Sequence, residues 1–572
     1  MDTEKYNSND TKGWVAGVDG PWYKTECQDI RKKRNEKIPE WHTEILTFFP
    51  LKDTRNSFFT MLVKVIASSV QGIDATTITV EVNVAQGAKF FIVGLADNAI
   101  KESQQRIDSA LKNNGFSWPG HRIVVNMAPA DIRKEGSAYD LPIALGVLAA
   151  SGQIKSDRFG EYVIVGELSL DGSLQKVRGV LPMAVRARQD GYKGLILPVS
   201  NSFEAAVVED LEVIAADNLM DVVAFLNGNL ELKPVRLDVK KEFELRSRRF
   251  DTDFSEVKGQ ENVKRALEIS AAGFHNLIMV GPPGAGKTML AKRLPTILPA
   301  LTLDESLETT KIHSVAGKLN RESSLMTVRP FRNPHHTISD VALVGGGNYP
   351  QPGEISLAHN GVLFLDELPE FKRNVLEVMR QPLEDRVISI SRAKFTIEYP
   401  ANFMLVASMN PCPCGYFNHP EKTCSCGSGL VKKYLNRISG PLMDRIDIHI
   451  EIVPVPFRDL SELREAEPSS VIRDRVMKAR EIQYARFKEI KGIYSNSQMG
   501  SKLIRKYCGL DDTSAKILKS AMEKLGLSAR AYDRILKVSR TIADLEAREH
   551  IESHHIAEAI NYRNLDREGW AG

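Results

Sequence analysis

The sequence has no long hydrophobic run, because its longest apolar stretches, such as residues 361–365, are far shorter than the roughly 20 residues that cross a bilayer. Its first residues also lack the apolar core of a signal peptide. The 572 residues include only six cysteines, four of them between Cys412 and Cys426, which is not a disulfide framework and fits a reducing compartment. We therefore expect a cytoplasmic protein that does not enter the membrane.

The chain also lacks a large excess of charge of either sign, since its net charge is +3. A balanced total can hide a local basic face, so this value does not decide whether nucleic acid is a partner. The composition, 42% hydrophobic and 26% charged, is typical of a globular protein. Because 572 residues exceed what one hydrophobic core accommodates, two to four domains are expected.

A phosphate-binding loop is predicted where an apolar run meets the start of a helix. Residues 276–280 are typical of a strand and residues 289–294 of a helix, which is the setting that the pattern G-x-x-x-x-G-K-[ST] requires. The loop consists of Gly281, Pro282, Pro283, Gly284, Ala285, Gly286, Lys287 and Thr288. Backbone N–H groups of such a loop surround phosphate oxygens. We expect it to bind ATP, with Lys287 on the β and γ phosphates and Thr288 on Mg2+.

Two acids follow a second apolar strand downstream of this loop. Residues 361–365 form an apolar run that ends at Asp366 and Glu367. A buried parallel strand would deliver both carboxylates to the sheet edge that carries the phosphate loop. We expect Asp366 to hold Mg2+ through water, and Glu367 to orient and deprotonate the attacking water.

Two further features resemble AAA+ ATPases. A third apolar strand, residues 403–409, ends at Asn410. In AAA+ proteins a polar residue at this point senses the γ-phosphate and helps to place the water, and the resemblance implies this role for Asn410. Residues 257–260, ahead of a predicted helix at 261–272, resemble the segment that lines the adenine pocket.

A hairpin is predicted between these elements, at residues 386–400 with its turn near 391–394, after a predicted helix at 376–383. It resembles the insertion of the magnesium chelatase and MCM helicase branch of AAA+ proteins. In ring helicases of that branch the hairpin points into the pore and touches DNA. The resemblance implies that Arg392 and Lys394 contact DNA phosphates. A solvated basic turn is the alternative.

An arginine finger is implied by residues 439–447, which resemble the P-x-L-L-D-R-F pattern of the same branch. The resemblance gives Arg445 this role, with Arg437 as the alternative. Such a finger neutralises charge on the phosphoryl group of a neighbouring subunit's ATP. It implies a ring, because one subunit alone cannot complete the site. The structural alternative is a salt bridge from Arg445 to Asp444 or Asp447.

A helical lid is predicted from residue 456 onward. Apolar residues recur three and four positions apart in three segments: 470–489, 514–525 and 529–546. At the start of the last segment, Arg530 matches the second sensor arginine of AAA+ proteins. Arg534, one turn on, is the alternative.

Four cysteines follow the predicted sensor strand. Cys412 and Cys414 form one C-x-C pair, and Cys424 and Cys426 form another. Four thiolates this close match structural zinc in number, although C-x-C is a tighter spacing than the usual C-x-x-C. His419 could replace one thiolate. Reduced cysteines and a redox switch are the alternatives.

Strands and helices alternate ahead of the ATPase segment. Strands are predicted at 62–66, 76–84, 122–127, 165–168 and 194–198, and helices at 98–114 and 141–150. This part resembles the proteolytic domain of the Lon family, on the strength of residues 134–138 and 165–172. The Lon-type serine position falls on Ala138, one residue beyond Ser137, and the lysine position falls on Leu181, with Lys176 nearby but out of phase. Without that pair the hydroxyl cannot be activated, so we expect an inactive peptidase fold.

Taken together, the motifs GPPGAGKT, GVLFLDELPEF, NPCPCG, GPLMDRIDIHIE and LSARAYDRILKVSRTIADL resemble the YifB/ComM family of magnesium-chelatase-like AAA+ proteins. The resemblance covers residues 61–565. It implies an α/β fold, namely an AAA+ phosphate-loop parallel sheet with a helical lid, preceded by a Lon-protease-like α+β domain of the S5 domain 2 type. The expected boundaries are an irregular extension at 1–60, a Lon-like domain at 61–234, a linker or a solvated helix at 235–254, the ATPase core at 255–455 and the lid at 456–572. We expect the extension to be either a mobile segment or an artefact of the start assignment, with translation beginning at Met61.

The same resemblance implies a function. Members of the family look like hexameric ring helicases that use ATP and Mg2+ to drive branch migration of DNA when transforming DNA is integrated. We therefore expect a homo-oligomeric ring with branched or single-stranded DNA as its partner. A magnesium-insertion motor and a protein-remodelling ATPase are the alternatives, although the chain has no D-x-S-x-S signature of the chelatase partner.

Overall fold

The computed structural model describes residues 61–246, 250–319, 324–347, 350–392, 395–419, 421–455, 466–563 and 565. The predicted extension at 1–60 lies outside the described residues, as do Lys394 and the side chain of Arg392. Among the described residues no helix has both the length and the apolar character needed to cross a membrane.

The first part of the fold is a seven-stranded mixed sheet with helices packed on it. Its strands and two short paired ones are β1 Met61–Gln71, β2 Asp74–Ala85, β3 Phe90–Val93, β4 Arg122–Ala128, β5 Tyr162–Ile164, β6 Glu167–Leu168, β7 Leu174–Gln175, β8 Gly194–Pro198 and β9 Glu212–Ala216. The sheet order is β3-β4-β2-β1-β5-β8-β9. The helices are α1 Asn98–Asn113, α2 Asp140–Ala150, α3 Val180–Gln189, α4 Ser202–Ala205, α5 Leu219–Leu226 and α6 Val239–Arg246. Every residue of α2 is buried, because this apolar helix lies against β1 and β2.

One strand in this part differs from the sequence prediction. The expected strand at 165–168 is interrupted, since β5 ends at Ile164 and only Glu167 and Leu168 pair again, with β7. The cause is that Gly166 turns out of the ladder: its N–H donates to the carbonyl of Ala138, and its carbonyl accepts from Leu141 N–H. The loop before α2 thus replaces the expected strand partner.

The segment predicted as a linker or a solvated helix forms α6 over residues 239–246. Val239, its first residue, is buried in the apolar cluster between the sheet and Leu325. A helix therefore covers part of this stretch, and its role as a linker stays a prediction.

The second part is a parallel sheet of five strands in the order β11-β14-β17-β10-β18. Its strands and those of two small hairpins are β10 Leu277–Val280, β11 Phe331–Arg332, β12 Gly345–Gly346, β13 Gln351–Pro352, β14 Val362–Leu365, β15 Val387–Arg392, β16 Phe395–Pro400, β17 Met404–Met409 and β18 Ile448–Glu451. Its helices are α7 Glu261–Gly273, α8 Lys287–Arg293, α9 Leu303–Val315, α10 Asp340–Val344, α11 Glu354–Leu357, α12 Arg373–Glu377, α13 Arg380–Asp385, α14 Ser428–Leu435 and α15 Gly440–Met443. β10, β14 and β17 are completely buried, as expected of parallel strands covered on both faces.

The predicted helix at 376–383 is broken in two. α12 ends at Glu377 and α13 begins at Arg380. Pro382 has no N–H for a helical bond to the carbonyl of Val378, so the helix cannot run through this point. The hairpin formed by β15 and β16 follows, with Arg392 opposite Phe395, and confirms the predicted hairpin.

The carboxyl-terminal part is helical, as predicted. Its helices are α16 Ser469–Phe487, α17 Ser501–Tyr507, α18 Asp512–Leu525, α19 Ala529–Leu545 and α20 Ser553–Asn561. Short 3-10 turns elsewhere span Arg158–Gly160, Val199–Asn201, Phe254–Glu256, Leu294–Thr296, Leu368–Glu370 and Asn496–Gln498. One continuous apolar cluster joins α16 and α19 to α7 and to one face of the parallel sheet. This cluster lies between the sheet and the lid, and a second apolar cluster covers the opposite face of the sheet.

Candidate active site

The predicted phosphate loop leaves the carboxyl end of a central strand. β10 ends at Val280 and α8 begins at Lys287, and β10 lies between β17 and β18 in the sheet. Gly286, immediately before the helix, has a φ of +84°, a conformation that side chains rarely adopt. The loop therefore turns sharply into α8 at the edge of the sheet where ligands of open parallel sheets bind.

Lys287 is held among three oxygen acceptors. Its Nζ donates to the carbonyl oxygens of Gly281 at 2.7 Å and Pro282 at 2.9 Å, and to the Oδ1 atom of Asn410 at 3.0 Å. The side chain is buried, and burial lowers the pKa of Lys287, while Asp366 and Glu367 counteract that shift. The acceptors of the Lys287 ammonium are neutral, so negatively charged phosphate oxygens can replace them.

Asp366 brings a hydroxyl from each of two elements to one point. One oxygen of its carboxylate accepts from Thr288 Oγ1 at 2.7 Å, and the other accepts from Ser408 Oγ. Carboxylate and hydroxyl oxygens are the ligands that Mg2+ takes in nucleotide sites. The donor set present here therefore fits Mg2+ next to the phosphate loop.

Glu367 projects from the end of β14 into solvent. It has a φ of +55°, unusual for a residue with a side chain, and its side chain is 57% exposed. Its carboxylate lies 3.9 Å from Nδ1 of His336. Glu367 is thus available to a water molecule, with a histidine beside it.

The histidine pair at 335–336 lies beyond the end of β11. The two rings are 4.1 Å apart between centroids, and His336 meets the ring of Phe371 edge-on. His335 instead contacts Thr337, through Nδ1 and Oγ1 at 2.9 Å. Of the pair, His336 is the member that reaches the acid.

The segment predicted to line the adenine pocket contacts the phosphate loop. Gln260 donates from Nε2 to the carbonyl of Ala285 at 3.0 Å. Val257 is buried in the same apolar cluster as Phe254 and α7. Gln260 therefore lies beside the phosphate loop, and the adenine-lining role of residues 257–260 stays a prediction.

Arg445 is buried and bonded within its own chain. Its guanidinium donates to the carbonyl of Pro441 at 2.6 Å and pairs with Glu384 at the end of α13. The predicted alternative of a salt bridge to Asp444 or Asp447 is not what the structure shows. The Arg445–Glu384 pair borders a cavity of about 480 Å³ beside the hairpin.

Arg437, the alternative finger, lies at another concave surface. It is half exposed, donates to the Glu370 carboxylate at 3.0 Å and contacts the carbonyl of Pro369 at 3.2 Å. Glu370 belongs to the turn that follows Glu367. Arg437 therefore contacts the turn that follows Glu367, whereas the contacts of Arg445 run to Pro441 and Glu384.

The two sensor candidates in the lid have different environments. Arg530 is 60% exposed and lies 3.4 Å from Asp444, whereas Arg534 pairs at 2.8 Å with the fully buried Asp447. Burial alone would raise the pKa of Asp447, but Arg534 and His275 outweigh it and hold that pKa well below its usual range. Arg534 is committed to this pair, while Arg530 is free to reach another group.

The exposed Arg530 lies close to the segment that carries the buried Arg445. The partner of Arg530, Asp444, is the residue immediately before Arg445. In the part of the chain that the structure describes, the polar contacts of these two arginines run to Pro441, Glu384 and Asp444. None of these contacts joins them to the phosphate loop of the same chain.

The structure brings the four cysteines together. Their sulfur atoms all lie within 4.8 Å of one another. His419 is outside this group, and its Nδ1 accepts from the backbone N–H groups of residues 421 and 422, both at 3.0 Å.

The Lon-like part does not bring a serine and a lysine together. Ser137 donates to the carboxylate of Glu167. Lys176 points elsewhere and donates to the carbonyl of Leu319 at 2.9 Å. At the position where the family alignment places the lysine, Leu181 is buried in an apolar cluster.

The sequence did not point to Ser408, and it marked the His335–His336 pair as equally a structural or a functional feature. Ser408 is a polar residue in an otherwise apolar strand, and that exception is the signal that could have found it. The contact of His336 with Glu367 could not be predicted, because it depends on two strands that are neighbours only in the folded sheet.

Comparisons with known families agree with this architecture. The family described as magnesium chelatase, subunit ChlI matches residues 253–460, and its carboxyl-terminal family matches residues 466–563. A further family, described as subunit ChlI of Mg-chelatase, matches residues 80–201, within the seven-stranded part.

Individual relatives cover nearly the whole chain. Competence protein ComM of Haemophilus influenzae is 47% identical over 500 residues, which is 87% of this chain and 96% of that protein. Uncharacterized protein YifB of Escherichia coli is 44% identical over 501 residues, with the same coverage of each. Lon protease 2 of Bacillus subtilis is 27% identical over 146 residues, 25% of this chain and 26% of its own. The predicted fold class is confirmed.

Proposed function

The chain belongs to the ComM/YifB family of magnesium-chelatase-like AAA+ ATPases, and from that membership we propose that it is a hexameric ring motor that moves DNA in the cytoplasm. The task that we propose is branch migration during recombination or natural transformation. The family uses ATP and Mg2+ and forms oligomers.

Within one subunit, the side chains around the phosphate loop carry the nucleotide chemistry. Lys287 exchanges its loop carbonyls for the β and γ phosphates, and Thr288 and Asp366 hold Mg2+, which neutralises phosphate charge when bound. Glu367 orients a water molecule and takes its proton. Asn410, which accepts a hydrogen bond from Lys287, would contact the γ-phosphate.

The observation that carries the ring is the position of Arg445 and Arg530. The surface around Asp444 carries the exposed Arg530, and Arg445, the next residue in the sequence, is buried and paired with Glu384. Among the described residues, the polar contacts of these two arginines do not include the phosphate loop of the same chain. Hydrolysis needs a cation that stabilises the negative charge of the transition state. A neighbouring copy can supply it by presenting this surface to the ATP of the next subunit. Arg445 would leave Glu384 to act in this way.

Support for DNA as the partner comes from the hairpin and from the relatives. β15 and β16 pair over six residues each, and Arg392 is the last residue of β15. A relative that is 47% identical is called a competence protein. A basic tip on such a hairpin would contact phosphates without reading the sequence.

The decisive experiment is an ATPase assay of the full chain with no DNA, linear duplex, single strands, forked DNA or a four-way junction, with oligomer mass measured in parallel. We expect branched DNA to raise turnover several-fold and to convert four-way junctions to products in the presence of ATP. A turnover that no DNA changes, with rings present, would contradict the DNA part of the proposal and leave the ATPase intact.

A protein-remodelling motor is the second candidate, because the Lon-like part is fixed to the ATPase core. Gly179 N–H donates to the carbonyl of Ser314 in α9, and the Ser314 hydroxyl donates to Glu204. A protein client bound there could act on α9. Stimulation of turnover by an unfolded protein such as casein, and not by DNA, would favour this candidate.

We propose that the Lon-like part has no peptidase activity, since Ser137 faces a carboxylate and Lys176 a carbonyl. Casein should remain intact with ATP, and Ser137→Ala should change nothing in that assay. Cleavage that this substitution abolishes would overturn the proposal.

A further inference from the structure

The loop that follows the sensor strand carries a group of four thiols next to the phosphate loop. Sulfur–sulfur distances are 3.3 Å for Cys412–Cys414, 3.7 Å for Cys412–Cys424 and 3.6 Å for Cys414–Cys424. With Cys426, all four lie within 4.8 Å of one another. We propose that these cysteines hold one zinc ion and that this ion fixes Asn410 and the phosphate loop in their relative positions.

The spacing fits one tetrahedral ion. Zinc–sulfur bonds of about 2.3 Å in a tetrahedron put the sulfur atoms ~3.8 Å apart. The three distances among Cys412, Cys414 and Cys424 are within about half an ångström of that edge length, and Cys426 lies within 4.8 Å of each. A cluster of two irons would separate the sulfurs into two distant pairs, which a group this compact does not allow. Four thiolates also favour zinc over the magnesium of the nucleotide site.

The same geometry is unlike that of a disulfide pair. Cys412, Cys414 and Cys424 are almost equally far from one another, so no two of them form an exclusive pair. In addition, the N–H of Cys426 donates to the sulfur of Cys424 at 3.4 Å, an interaction that stabilises a negatively charged thiolate. Cys412 is completely buried, so the group is shielded on one side.

The loop that carries the four cysteines lies next to the sensor residue and the phosphate loop. Cys412 follows the sensor residue Asn410 by two positions, and Gly415 N–H donates to the carbonyl of Cys412 at 3.0 Å. Gly415 has a φ of +84°, and a Cβ there would lie 2.5 Å from Cδ of Pro283 in the phosphate loop. The thiol-bearing loop therefore packs directly on the phosphate loop.

The other end of the loop is attached as well. Cys426 lies just before α14, and Tyr434 of that helix is buried near the backbone of Asn410. An ion that joins Cys412 and Cys414 to Cys424 and Cys426 thus closes a ring of contacts around the sensor residue. Zinc binding itself does not depend on the proposed function; its effect on hydrolysis does.

Metal content of the full chain, purified without chelator, tests the ion directly. We expect about one zinc per chain, and near zero in Cys424→Ser and Cys426→Ser. Cys508→Ala removes a buried cysteine outside the group and should keep the wild-type ratio. A wild-type ratio near zero, iron in place of zinc, or an unchanged ratio in Cys424→Ser would each overturn the site.

A second measurement covers the case in which the serine variants do not fold. Wild-type protein stripped of metal and refilled with Co2+ should show the absorption of a tetrahedral four-thiolate cobalt complex, and Zn2+ should displace it. Failure of Co2+ to give that spectrum, with four thiols free to react, would contradict a four-thiolate site.

The proposed task of the ion has its own test. Gly415→Ala leaves every thiol in place but inserts a methyl group against Pro283. We expect it to keep one zinc per chain and to lower basal ATP turnover at least tenfold, as zinc removal from the wild type should also do. Full turnover in both cases would overturn the coupling to the sensor, independently of any effect of DNA.

Discussion

The amide oxygen of Asn410 lies 3.0 Å from Nζ of Lys287, so the end of β17 and the phosphate loop share a hydrogen bond. The other two acceptors of this ammonium are carbonyls of the loop itself. Phosphate oxygens would compete for the same donor. We therefore expect ATP binding to release Asn410, which then faces the γ-phosphate and the attacking water.

Lys287→Ala should abolish nucleotide binding, because it removes the buried cation that faces the phosphates. Binding of a fluorescent ATP analogue and steady-state turnover measure this. Lys292→Ala is the matched control, since Lys292 is an exposed lysine in the same helix. Equal loss in both variants would indicate a folding defect and not a site effect.

Glu367→Gln should keep ATP bound and lower turnover by at least 100-fold, because the amide cannot take a proton from water. Asp366→Asn should differ, since it removes a ligand charge at the Mg2+ position and weakens binding of the magnesium–ATP complex. Affinity measured over a magnesium titration separates the two. Normal turnover in Glu367→Gln would reject it as the base.

Arg445→Ala should bind ATP normally and fail to hydrolyse it, and mixing should reveal where the arginine acts. A ring assembled from equal amounts of Arg445→Ala and Lys287→Ala chains contains interfaces with an intact loop and an intact arginine, about a quarter of the total for random assembly. Turnover should exceed that of either variant alone. Mixed rings without recovery would contradict action between subunits.

Arg534→Ala and Arg530→Ala should separate stability from hydrolysis. Removing Arg534 takes the arginine from the buried Asp447 carboxylate and leaves it with His275 and the Asn276 N–H, which costs about 3 kcal/mol of unfolding free energy. Arg530 is mostly exposed, so its loss should cost less than ~1 kcal/mol while turnover falls. Urea unfolding beside ATPase assays measures both. The reverse pattern would make Arg534 the sensor.

Lys537 should make the stability of the chain depend on pH in the alkaline range. Burial, assisted by Arg534 and Arg386, lowers the pKa of Lys537 to about 8. Between about pH 8 and 10.5 the unfolded chain binds more protons than the folded one, so this residue's contribution to the unfolding free energy rises with pH. The unfolding free energy of the wild type minus that of Lys537→Met should increase over this window by up to ~3 kcal/mol.

Urea unfolding of both proteins at a series of pH values gives that difference. Lys524→Met, which removes an exposed lysine of α18, controls for the loss of one positive charge. A difference between wild type and Lys537→Met that does not change with pH would show that Lys537 keeps its proton in the folded chain.

The phosphate loop and the acids after β14 could be predicted because both are local patterns. The loop lies between a strand and a helix, and Asp366 and Glu367 end a strand that is buried on both faces. The hairpin and the lid helices could be predicted for the same reason, since their turns and apolar periods lie within short segments.

Contacts between distant segments could not be predicted. Glu384 is the partner of Arg445 only because α13 and the segment after α15 meet in the folded chain. Ser408 contacts Asp366 because β14 and β17 are neighbours in register. The strand expected at 165–168 failed for the same reason, as Gly166 bonds to a loop about 30 residues earlier.

The Asp447 carboxylate links the lid to the start of β10, the strand that leads into the phosphate loop. It accepts from Arg534 of α19 and from the backbone N–H of Asn276, immediately before β10. If the lid moved away from the sheet, the Asp447 carboxylate would stay buried without Arg534, which is unfavourable. We therefore expect the lid and the core to move as one rigid body. Conformational changes that do mechanical work in a ring would then occur at the interfaces between subunits.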